Sequence, residues 1–131
     1  MTDEKKAILI VDDDMSTVFL LKIAIANHYK EKYSYETALN ASEAMEIIDE
    51  LVGDGISIIL ILSDWLMPGI KGDEFLLKVH EKYPDIKAIM ISGYADPEAI
   101  KKVCNTVKLS AFIHKPWEPD SLIAEVEKCL N

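Results

Sequence analysis

With 131 residues the chain can form one domain with its own core, burying about two thirds of the surface it exposes when unfolded. Half the residues are apolar and only five each are Gly and Pro, which excludes disorder and a fibrous repeat. Twenty-three Asp and Glu against 14 Lys and Arg give a formal net charge of −9, which argues against direct nucleic-acid binding.

In chain order, Ala7 to Val11 is the first apolar run and reads as a strand covered on both faces. A helical stripe of Val18, Leu21 and Ile25 follows, and Tyr33 to Ala38 alternates as a flanking strand would. An Asn40 to Glu43 capping box opens a second helix, with Ala44, Ile48, Leu51 and Val52 inward and Gly53 as its stop. Ile58 to Leu62 is another fully apolar strand. Leu76, Val79 and Tyr83 mark a helix ended by Pro84, and Lys87 to Ile91 is the next strand. Asp96-Pro97 caps a helix carrying Ile100, Val103, Cys104 and Val107. Ala111 to His114 is a short strand stopped at Lys115-Pro116, and Pro119 opens a last helix with Leu122, Val126 and Leu130 inward.

Strand and helix thus alternate five times without repeat or linker, which predicts a single domain over residues 1–131. The expected fold is α/β and flavodoxin-like: a doubly wound (βα)5 unit whose five-stranded parallel sheet has the order 2-1-3-4-5. In that order strands one and three are neighbours, and ligands collect at the switch point between them. The polar N-terminus, Met1-Thr2-Asp3-Glu4-Lys5-Lys6, does not suit a signal peptide, and no apolar run could span a bilayer, so a cytoplasmic protein without membrane association is expected. Cys104 and Cys129 lack the paired spacing of a zinc or redox motif, and His28, His80 and His114 form no ligand pair.

The chemistry concentrates at the strand ends. Ile61-Leu62-Ser63-Asp64 delivers a carboxylate into a Met67-Pro68-Gly69 loop, where it is expected to be displayed rather than buried, and the first strand ends in Asp12, Asp13 and Asp14. Carboxylates about 5 Å apart repel by roughly 3 kcal/mol per pair at an effective dielectric near 20, so such a cluster needs a counter-ion. Mg2+ fits best, because it takes hard oxygen ligands and keeps several waters. Ser92 after the fourth strand and Lys115 after the fifth add a hydroxyl and an ammonium at the same edge. Around one carboxylate, these groups would stabilise a phosphoryl group in transfer, with Asp64 as nucleophile.

Four motifs in register, Ile8-Leu9-Ile10-Val11-Asp12-Asp13-Asp14, Asp64-Trp65-Leu66-Met67-Pro68 with Gly72, Ser92-Gly93 and Lys115-Pro116, resemble the receiver domain of two-component response regulators, the CheY-like superfamily. The resemblance covers essentially the whole chain. It implies that Asp64 accepts a phosphoryl group from the phosphohistidine of a histidine kinase or histidine phosphotransfer protein. Asp12, Asp13, Asp64 and the Leu66 backbone carbonyl would hold Mg2+, with Asp13 a direct ligand and Asp14 standing where the family often has Glu. By the same comparison Lys115 and Ser92 grip the phosphoryl oxygens, Phe112 is the aromatic switch that follows Ser92, and the Lys115-Pro116 peptide is cis. Leu66 and Tyr94 fill the variable positions two residues beyond the nucleophile and the hydroxyl, where they would tune phosphoryl lifetime. The fourth helix, fifth strand and fifth helix would form the output face for a downstream protein target, and the family also allows a phosphorylation-linked homodimer.

Two other readings compete. Asp12-Asp13-Asp14-Met15-Ser16 partly mimics the motif of haloacid dehalogenase-like phosphatases, with Asp12 as nucleophile and Asp14 as general acid, but no later acidic pair and no cap insertion accompany it. A receiver-like module that works without phosphorylation would lack site residues, and none is missing here. Trp65 reads as cover beside the site, and Trp117 as either a partner surface or an anchor for the last helix.

Overall fold

The computed structural model describes residues 5–93 and 96–130. Five strands, β1 (Lys6–Val11), β2 (Ser34–Ala38), β3 (Ser57–Ser63), β4 (Lys87–Ser92) and β5 (Ala111–His114), form one parallel sheet in the order β2-β1-β3-β4-β5. They alternate with α1 (Met15–Tyr29), α2 (Ala41–Gly53), α3 (Gly72–Lys82), α4 (Pro97–Val107) and α5 (Pro119–Leu130), and a 3₁₀ turn, Lys30–Lys32, extends α1.

The unbroken apolar runs have a direct cause: both faces of the central strands are covered. Ile8 and Ile10 of β1 pack with Leu60, Leu62, Ile89 and Ile91 beneath α1 and α5, whereas Leu9, Val11, Ile61 and Met90 meet α2, α3 and α4. The flanking strands β2 and β5 are only partly buried, in keeping with their weaker patterns.

β3 carries an irregularity that the periodicity did not reveal. Ala7 pairs with Ile58, but the next residue, Ile8, pairs with Leu60, so Ile59 is an extra residue at a β-bulge. Ile58 and Ile61 consequently join the same core face despite their odd spacing.

The helix ends follow local chemistry. Asn40 accepts a hydrogen bond from the Glu43 N–H at 2.8 Å, and Asp96 one from the Glu98 N–H at 3.1 Å. The stop of α2 differs from expectation: Gly53 is its last helical residue, and the left-handed residue is Gly55, with φ of +79°. Val52, expected inward, is 38% exposed: it continues the stripe of Ala44 and Ile48 but lies in the last turn of α2. In α5 it is Cys129 that is buried with Leu122 and Val126, and Leu130 is only partly covered. Trp117 packs against the α1–α5 side of the core, which favours its role as an anchor.

Candidate functional site

The parallel sheet brings the functional side chains to one edge. Val11 pairs with Ser63, and the Asp64 N–H donates to the Val11 carbonyl at 2.9 Å, so the residues after β1 and β3 are locked side by side. Ser92 pairs with His114, and the Lys115 N–H donates to the Ser92 carbonyl at 3.0 Å, which fixes the other half in the same way.

Asp12, Asp13 and Asp64 converge there, each offering a carboxylate oxygen within 4.8 Å of the others. The Lys115 Nζ lies 2.9 Å from Asp12 Oδ2 and 3.5 Å from Asp64 Oδ1. Ser92 is buried at the end of β4, and the Lys115-Pro116 peptide is cis, as the resemblance implied. Three carboxylates against one ammonium leave the cluster negative. Its all-oxygen donor set at this spacing suits a hard divalent ion and would not suit a soft one.

Asp64 departs from expectation in one respect, since its side chain is only 10% exposed and is therefore buried. The start of α3 packs against the backbone of the loop, and local bonds fix the carboxylate and the backbone that carries it. The Trp65 N–H donates to Asp64 Oδ1 at 2.8 Å, the Ser63 hydroxyl donates to the Asp64 carbonyl at 2.9 Å, and the Gly72 N–H donates to the Trp65 carbonyl at 2.7 Å. Gly72 must be glycine here, because a Cβ would collide with the Asp64 carbonyl oxygen and come within 2.9 Å of the Trp65 Cα.

Burial raises the Asp64 pKa above the ordinary carboxylate value and the Asp12 charge adds to the rise, while Lys115 and the Trp65 N–H partly counter it. Burial works against the Lys115 ammonium, but the Asp12 hydrogen bond and the charges of Asp64 and Asp12 outweigh it, so its pKa lies above the usual lysine value.

Asp14 stands apart from the cluster. Its carboxylate accepts from the Ser16 N–H at 3.1 Å and the Thr17 hydroxyl at 2.9 Å, which makes it the N-cap of α1. Its own N–H donates to Asp12 Oδ1 at 2.9 Å and so helps to aim the Asp12 carboxylate. An acid engaged in capping is a poor general acid, which removes the main support for the phosphatase reading. Leu66 is half exposed beside the site, and Tyr94 lies outside the described residues. Phe112 is half-buried, in edge contact with Trp65 at 6.0 Å between ring centroids and with His114 at 5.1 Å.

Residues 8–127 match the family model described as the response regulator receiver domain. Over its full length the chain is 35% identical to the hydrogenase transcriptional regulatory protein HoxA of Cupriavidus necator, of which it covers 25%. It is 34% identical over 95% of its length to the regulatory protein VanR of Enterococcus faecium, covering 49% of that protein. Among solved structures, a CheY-like response regulator receiver domain protein from Methanospirillum hungatei superposes with a TM-score of 0.81 at 31% identity, over 97% of this chain and 94% of that one. The chain thus spans a quarter to a half of these longer relatives, and with its sheet order and acidic edge it belongs to the response regulator receiver domain family.

Proposed function

We propose that this receiver domain, taken as one unit over residues 1–131, is a phosphorylation-dependent switch in which Asp64 is the phosphoacceptor. The observation that carries the reading is the position of the Asp64 carboxylate, buried at the sheet edge with the Lys115 ammonium 3.5 Å away and two further carboxylates beside it. An Asp64 oxygen attacks the phosphorus of a phosphohistidine. The new P–O bond replaces the P–N bond, and the imidazole nitrogen leaves with the electron pair and takes up a proton. Lys115, already between Asp12 and Asp64, neutralises charge on the arriving phosphoryl oxygens, and the Ser92 hydroxyl donates to another.

Asp12, Asp13, Asp64 and the Leu66 carbonyl would hold Mg2+, which when bound supplies charge neutralisation for the phosphoryl group and for the acids around it. The Trp65 N–H keeps Asp64 oriented, and the buried setting limits access of water. Leu66 and Tyr94 restrict the water that hydrolyses the acyl phosphate and so lengthen its life.

The donor is a histidine kinase or histidine phosphotransfer protein. Met15, Phe19, Leu20 and Ile23 project 40–69% exposed from the outward side of α1, whose first turn follows directly on the acidic motif. A largely apolar face at the rim of the site, with Lys22 as its one charged member, supports docking of a donor helix there. Phe112 passes the state of the site to α4, β5 and α5, where a downstream protein binds. A cytoplasmic setting accords with such partners, and no helix among the described residues is long and apolar enough to cross a membrane.

Intact-mass measurement with acetyl phosphate or phosphoramidate and Mg2+ tests the reading. One phosphoryl adduct is expected on the wild type, none on Asp64→Asn, and a much reduced yield on Asp13→Ala. Failure of both donors to modify the folded wild type would overturn it.

A further inference from the structure

A cavity of about 230 Å3 between α3 and α4 has no part in phosphoryl transfer. Leu77, Ala99, Val103 and Val107 line it with apolar surface, the Trp65 indole forms one wall, and Asp73 and Glu74 from the first turn of α3 supply carboxylates. The Asp73 Oδ1 is buried and accepts no hydrogen bond among the described residues, an unusual condition for a carboxylate oxygen. Lys102, on the α4 wall, is exposed and pairs with neither acid among the described residues.

An aromatic face, two acids and an apolar floor in a space of side-chain size select for a cation with a hydrophobic body. We propose that this cavity is a binding site for a small organic ammonium ion, with the ammonium head on Asp73 and its carbon skeleton against Trp65, Val103 and Val107. A small turn of the Asp73 carboxyl presents its unsatisfied oxygen to the ligand, and the Trp65 ring contributes a cation–π contact. A neutral ligand of the same shape leaves that oxygen without a partner and binds more weakly. A metal ion is a poorer fit, because the aromatic and aliphatic walls offer it no ligands. The site stands independently of the proposed phosphotransfer.

The test uses phenethylammonium as the probe, titrated in magnesium-free buffer and followed by Trp indole and backbone amide NMR shifts. Expected are saturable shifts at Trp65, Asp73, Val103 and Val107, about tenfold weaker binding to Asp73→Asn, and loss of binding to Thr106→Trp, which blocks the mouth. The neutral analogue 2-phenylethanol should bind at least about tenfold more weakly than the amine. Absence of saturable shifts overturns the proposal, as does equal binding of the alcohol or undiminished binding to both variants. Displacement of the amine by Mg2+ also overturns it, because that assigns the amine to the acidic cluster after β1 and β3.

Discussion

Replacing Asp64 by Asn should make the metal-free protein more stable while abolishing phosphorylation. With carboxylate oxygens within 4.8 Å, each of its two acidic neighbours repels the Asp64 carboxylate by at least about 3.5 kcal/mol at an effective dielectric near 20, and Lys115 at 3.5 Å returns about 5 kcal/mol. Asp13 is exposed and its share is screened, so the charge on Asp64 costs about 1–2 kcal/mol net. Asn keeps the shape and can still accept from the Trp65 N–H, so little else is lost. For a chain of this length the melting temperature should rise by roughly 3–8 °C at pH 7.5 in EDTA, read by differential scanning calorimetry. The pH dependence carries a definite sign. Because the folded-state pKa of Asp64 is raised, the folded protein takes up this proton more readily than the unfolded chain, and the destabilisation by its charge grows above the ordinary Asp value and is complete above the raised one. The advantage of the variant should therefore shrink as pH falls through the raised value toward the ordinary Asp value. Mg2+ narrows the difference: at ten times its dissociation constant it adds about 1.4 kcal/mol to the wild type and less to the variant. An Asp64→Asn protein no more stable than wild type in EDTA, or an advantage that persists undiminished into acid, would refute the electrostatic account.

Gly72→Ala should cost at least about 2 kcal/mol in urea unfolding, because steric conflict with the Asp64 and Trp65 backbone outweighs the gain of about 1 kcal/mol in helix propensity; a stabilised variant would contradict the close approach. Lys115→Ala should leave Mg2+-dependent phosphorylation at least about tenfold slower by intact-mass time course, since it removes the ammonium nearest Asp64. Leu66→Asn with Tyr94→Ala should hasten loss of the acyl phosphate, measured by phosphate release after removal of donor, and an unchanged or slower loss counts against the shielding role. Lys108→Gly should raise stability by about 0.5–1 kcal/mol, because Lys108 ends α4 in the left-handed region with φ of 57°.

What could be read in the sequence was whatever a single residue type or a short period determines. Asp64, Ser92 and Lys115 stand at the ends of apolar runs, so their convergence follows once the strands are parallel and ordered 2-1-3-4-5. The capping role of Asp14 was hidden because an acid after a strand serves a metal or a helix equally well, and only the bonds to Ser16 and Thr17 decide. The burial of Asp64 was misjudged for a similar reason: a Met-Pro-Gly loop reads as open, but Gly72 lets α3 close against the backbone behind the carboxylate. The extra residue at Ile59 leaves the apolar run unbroken and so gives no signal in composition or period.

That extra residue has a mechanical consequence. It sits near the start of β3, whereas Asp64 follows the strand's far end, so a mismatch in length arriving from the α2–β3 connection is taken up before the chain reaches the chemistry. Removing one residue at Ile59 should be absorbed locally by restoring regular pairing. Removing one between Leu60 and Ser63 would exchange inward for outward faces and point the Asp64 carboxylate away from Lys115. The strand thus tolerates error at its base and demands fidelity at its tip.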